Sequence, residues 1–175
     1  MTVESLVRVA PPPVAPCRAF KGPWAPIEAE LGVVFPPDYK EFVRLYGCGY
    51  FVGYLNVAVP RCGDAGLRLE EFVPEIVRKF WAAGSRRDRF WPSVGGLLPF
   101  GYTENAEYLF WLTRGPPDEW PIVVWDRDSE TGFELFECDL TEFLAGLATG
   151  VLAPEAFPDL LDCDQVFQPN SPGPG

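Results

Sequence analysis

The sequence predicts an α+β domain, a mainly antiparallel mixed sheet flanked by helices. Three observations carry that expectation. Apolar side chains recur at helical spacing in two stretches, 37–46 and 69–81. Residues 97–138 break into short apolar and aromatic runs separated by turn-rich peptides, the pattern of a meander. The chain has 175 residues, 47% of them hydrophobic and 15% aromatic, enough for one core without disulfides or metal.

The elements follow in order. Residues 1–22, with APPPVAP at 10–16, read as a proline-rich, partly extended leader that docks through Val7 or Val9. WAPIEAEL places Trp24, Ile27 and Leu31 on one helical face, and Gly32 stops it. Next comes LGVVFPPDYKEFVRLYGCGY. Pro37 suits a first helical position, Tyr39, Phe42, Val43 and Tyr46 form the inner stripe, and Asp38 favours the helix dipole. Gly47 is expected to take a left-handed C-terminal conformation and Gly49 to let the chain reverse. Residues 50–59 read as one strand with Gly53 as a bulge. In LRLEEFVPEIVRKFWAAG, Pro74 predicts a turn before it and the main helix after it. Arg86, Arg87 and Arg89 fall in a solvated loop. Strands are expected at 97–102, 107–113, 122–127 and 133–138. Asp139 and Glu142 form a capping pattern for a helix over 140–148, closed by Gly150. Beyond Pro154 the chain is acidic and proline-bounded, with Val166 and Phe167 tucking back.

Composition narrows the chemistry. There is no histidine, which removes the usual neutral-pH general base, the Ser-His and Cys-His nucleophile pairs and the commonest transition-metal ligand. Five cysteines, none spaced as CxxC, read as reduced structural thiols in a reducing compartment. No metal or cofactor is expected: the acids do not follow a calcium-loop pattern either. The start of the chain lacks a signal-peptide pattern, and no apolar run approaches the roughly 18 residues of a membrane span, so the expectation is a cytoplasmic protein.

Charge is unevenly distributed. The net charge is −11, yet residues 1–103 carry +2. Residues 104–142 hold 11 acids and two arginines, a net of −9, and residues 143–175 hold four acids and no base. Such a surface repels phosphate, which argues against a nucleic-acid partner, and it steers cationic proteins.

Two blocks are distinctive together. LGVVFPPDYKEFVRLYGCGYF has a leucine-glycine, a proline before an acidic-aromatic helix, and a tyrosine-glycine-x-glycine turn. LLPFGYTENAEYLFWLTRGPPDEWPIVVWD has a proline-phenylalanine-glycine hairpin and a tryptophan-led apolar strand, followed by a helix containing Phe143 and Leu144. In order and spacing these blocks resemble the SUKH (Smi/Knr-like) superfamily over residues 24–152. The chain departs at Ala106, where glycine is usual; Asn105 is expected to supply the left-handed residue instead. With the two proline-rich ends read from composition, the chain divides into the leader (1–22), a SUKH-like domain (23–153) and a tail (154–175) that the family pattern does not explain. The resemblance implies an immunity protein of bacterial type, which binds and neutralises a cognate toxin; no catalytic set is carried over.

The first functional reading is therefore a non-enzymatic inhibitor of a basic toxin, a nucleic-acid-targeting one among the options. Its contacts are expected among Glu104, Glu107, Asp118, Glu119, Asp126, Asp128 and Glu130, with Trp120 as an aromatic anchor. Trp111 and Trp125 read instead as core. A scaffold or regulatory domain without a toxin is the alternative. A carboxylate enzyme built on Asp126 and Asp128 has little support, because DRD at a strand end more often begins a polar turn.

Overall fold

The computed structural model describes residues 3–126, 132–160 and 165–170. Strands β1 (Gly49–Phe51), β2 (Leu55–Val57), β3 (Leu97–Thr103), β4 (Tyr108–Leu112), β5 (Ile122–Trp125) and β6 (Phe133–Phe136) follow one another as a meander. A last strand, β7 (Phe167–Pro169), returns beside β1, which gives one seven-stranded sheet of order β6-β5-β4-β3-β2-β1-β7. Every ladder between these strands is antiparallel. Parallel pairing occurs only in isolated bridges outside these strands, such as Cys17 with Gly47, so among the described residues the sheet is antiparallel throughout rather than mixed. With five helices around the sheet, this is the expected α+β architecture.

Alternation along β4 sorts the two faces. Trp111 points toward helix α3 (Pro37–Tyr46), 5.0 Å between its ring and that of Tyr39. Tyr108 and Phe110 point the other way, onto Phe80 of helix α4 (Leu69–Ala82), at 5.8 and 5.4 Å. Helix α5 (Leu140–Thr149) shares the α3 face through Phe143 on Phe136, and helix α1 (Val3–Val9) packs against α5. Helix α2 (Ala25–Leu31) ends at Gly32, which is left-handed as expected. Asp139 caps α5 by accepting from the Glu142 N–H at 2.7 Å. Trp111, fully buried, sits among Phe35, Tyr39 and Phe100. Trp125, half-buried, lies 4.8 Å from Phe80.

The structure departs from the sequence reading at several places; Gly47, for one, has positive φ (65) but an extended ψ (−149), outside the left-handed helical region expected of it. Helix α4 does not wait for Pro74; it starts at Leu69 and carries the proline in its second turn. A proline there costs about 3 kcal/mol or more. Burial of Leu69, Phe72, Val73, Ile76, Val77 and Phe80, at about 1.5–3 kcal/mol each, outweighs it. Residues 50–59 are not one strand but the β1–β2 hairpin. Val52 (φ 47) and Gly53 (φ 64) both adopt positive φ, and the Tyr54 N–H donates to Phe51 O at 3.1 Å across the turn. A β-branched residue at positive φ is strained; the Val52 N–H is tied to Val166 O at 2.6 Å. In the β3–β4 turn the left-handed residue is Ala106 itself (φ 66), not Asn105. Finally, the leader begins as helix α1 rather than an extended segment, with Leu6 fully buried; Phe167 of the tail tucks back as expected, as part of β7.

The glycine pair explains how both ends fit. A Cβ on Gly47 would lie 2.1 Å from Cys17 O, and one on Gly49 would lie 2.5 Å from both Gln168 O and the Phe167 ring. Backbone from the leader and from the tail closes over Gly47-Cys48-Gly49 at these two positions.

Candidate functional site

Successive turns of a meander alternate between the ends of the sheet, and this decides where the acids go. The β3–β4 turn brings Glu104 and Glu107 to one end, where Asp126 leaves β5. The β4–β5 connection puts Asp118 and Glu119 at the other end, on a short 3-10 turn, Pro117–Glu119. The two groups are separated by the length of β5, roughly 13 Å for four residues. Asp128 and Glu130 lie outside the described residues.

At the first end Glu104, Asn105, Ala106, Glu107 and Asp126 line a depression of about 580 Å³. Glu155 and Ala156 of the tail complete the rim. Glu104 and Glu155 are exposed, and Asp126 is half-buried. Glu107 differs from them. It is buried, and one carboxylate oxygen accepts from the Tyr54 hydroxyl at 2.8 Å and from the Thr103 hydroxyl. Its backbone N–H donates to Thr103 Oγ1 at 3.2 Å. Burial and the neighbouring Glu107 hold the Tyr54 phenol up at about 12, so it stays a neutral donor at pH 7. Phe157 stacks edge-on against the Tyr54 ring at 5.3 Å, which fastens the tail over this end. The Glu155 N–H also donates to Glu134 on the edge strand β6, at 2.9 Å.

At the other end Asp118 and Glu119 are exposed. Trp120 beside them is turned inward, only 6% exposed, with its ring 6.5 Å from Trp111 and its indole N–H donating to Gly115 O at 3.1 Å. It packs as core and offers no broad face to a partner.

Sequence reasoning missed Glu155, Tyr54 and Thr103. The Thr103-to-Glu107 spacing in TENAE is a local sign of a hydroxyl closing a turn onto its own carboxylate. Nothing local points to Tyr54 or Glu155. Among the described residues, no group of three or more cysteines, aspartates or glutamates is placed to hold a metal ion. No described helix is long and apolar enough to cross a membrane.

The class defined by this geometry is a helix-flanked antiparallel meander with an acidic hollow at one end of its sheet. Residues 22–144 match the protein-family model described as SUKH_6, SMI1-KNR4 cell-wall, and the chain belongs to that family. No curated protein and no solved structure matches it.

Proposed function

We propose that this protein binds a cationic protein partner, a cognate toxin in the manner of immunity proteins, through the acidic end of its sheet. The observation that carries the reading is the convergence of Glu104, Asp126 and Glu155 around one depression, backed by the buried Glu107. Glu104 sits on the β3–β4 turn and Asp126 just past β5, both in the segment 104–142 whose net charge is −9, and Glu155 joins them from the tail. Exposed carboxylates held by a stiff frame attract a basic surface, speed encounter and fix its register. Family membership supports a binding role over a catalytic one.

The test uses the toxin domain encoded beside this chain. The two proteins are expected to form a complex whose association slows as salt rises, because screening shortens the reach of the charges. Glu104→Lys with Glu155→Lys should slow association at least about tenfold, with dissociation changing less. Unchanged association in that double variant sinks the assignment of this end of the sheet. Failure to bind or to protect cells from the toxin sinks the immunity reading itself.

A further inference from the structure

Cys48 and Cys62 are 14 residues apart in sequence, yet their sulfurs stand 2.7 Å from one another in the core. Cys48 lies between α3 and β1, and Cys62 lies in the loop after β2, so the two thiols meet at the base of the β1–β2 hairpin. Both are free and buried. The remaining described cysteines, Cys17 and Cys138, are also free and only half-buried. We propose that Cys48 and Cys62 form a specific oxidation site, which a hydroperoxide converts to a disulfide that staples the hairpin at its base.

The sequence reading of five reduced structural thiols does not anticipate this pair, because the two cysteines meet only through the reversal at Val52-Gly53. The Cys48 thiol donates to the Cys62 sulfur and holds the Cys62 thiol below the ordinary thiol range, with the Arg18 guanidinium nearby favouring the same charge. That hydrogen bond, together with burial, pushes the Cys48 thiol well up, so Cys62 is the nucleophile and Cys48 the resolving thiol. In the first step the Cys62 thiolate attacks one peroxide oxygen. The O–O bond breaks, hydroxide leaves and takes a proton to become water, and Cys62 is left as a sulfenic acid. In the second step Cys48 sulfur attacks the Cys62 sulfur, and the sulfenic oxygen departs with the Cys48 proton as a second water. Two thiols and one peroxide thus become one disulfide and two waters. Burial favours a peroxide, which is small, over a bulky disulfide reagent that must touch the sulfur.

The experiment treats the reduced full chain with one equivalent of hydrogen peroxide, alkylates free thiols under denaturing conditions and maps the peptides by mass spectrometry without reduction. The expected product links Cys48 to Cys62, leaves Cys17 and Cys138 alkylated, and reverts with dithiothreitol. The ring encloses residues 48–62, and the melting temperature should rise by about 6–12 °C. In Cys48→Ala, dimedone added together with the denaturant after the peroxide step should mark Cys62 as a sulfenic acid. Recovery of Cys48 and Cys62 as free thiols, or a bond from either to Cys17, overturns the site. A Cys48–Cys62 bond with no change in melting temperature overturns the stapling.

Discussion

The two ends of the β4–β5 pair carry acids of different kinds. At one end Glu107 is folded into the molecule, with Tyr54 and Thr103 as donors, and the exposed Glu104 and Glu155 stand around it. At the other end Asp118 and Glu119 stand in solvent on a 3-10 turn, and the buried group beside them is an indole. Equal charge in sequence therefore corresponds to unequal structure. One end is a frame holding carboxylates at fixed places, and the other is a core residue with two solvated acids next to it.

The largest expected effect probes the second end. Trp120→Ala should lower stability by about 3–5 kcal/mol in urea denaturation, the range for emptying a buried indole site. A small loss of stability with a large loss of partner affinity would return Trp120 to the surface and blur the contrast. At the first end Glu107→Ala leaves two buried hydroxyls without their acceptor and should cost about 2–3 kcal/mol by the same measurement. If it costs no more than an exposed acid, Glu107 is not structural.

Tyr54 sharpens the same point through pH. Its folded-state value of about 12 lies above the ordinary tyrosine value of 10. The native state therefore keeps the proton longer than the unfolded chain. This contribution is fully present below pH 10 and is lost as pH rises through 12. Tyr54→Phe should fall less steeply in melting temperature over that window than the parent chain. Equal slopes would detach Tyr54 from Glu107.

Ala106→Gly should stabilise by about 0.5–1 kcal/mol, since glycine relieves the left-handed backbone and gives back part of the gain in entropy. The smallest effect belongs to Asp118→Asn with Glu119→Gln, within about 0.5 kcal/mol in stability. A larger shift would mean that this end is built as tightly as the other.

What could be read from the sequence was local. Pro37 at the start of α3, the Tyr39-Phe42-Val43-Tyr46 stripe and the Asp139 cap of α5 depend on neighbours within a turn or two, and each was found where expected. Pro74 misled because a local rule met a long buried stripe, and packing decided. The hairpin at Val52-Gly53 was hidden because valine rarely accepts positive φ, and a backbone bond to Val166 holds it there. The acids were legible as residues but not as a group. Applying the alternation of meander turns would have separated Asp118 and Glu119 from Glu104, Glu107 and Asp126. It would not have found Tyr54, which reaches Glu107 across 53 positions, or Glu155, which arrives with the tail.

Phe167 to Pro169 pair with β1, while Gly47 and Cys48 are already engaged by Cys17. A nascent chain therefore reaches the ribosome exit with its N-terminal portion waiting on a strand more than 100 residues downstream. Until that strand emerges, β1 remains an open edge, and whatever shields open edges during synthesis has a defined job on this protein. Expression with residues 165–175 removed would hold the molecule at that unfinished stage.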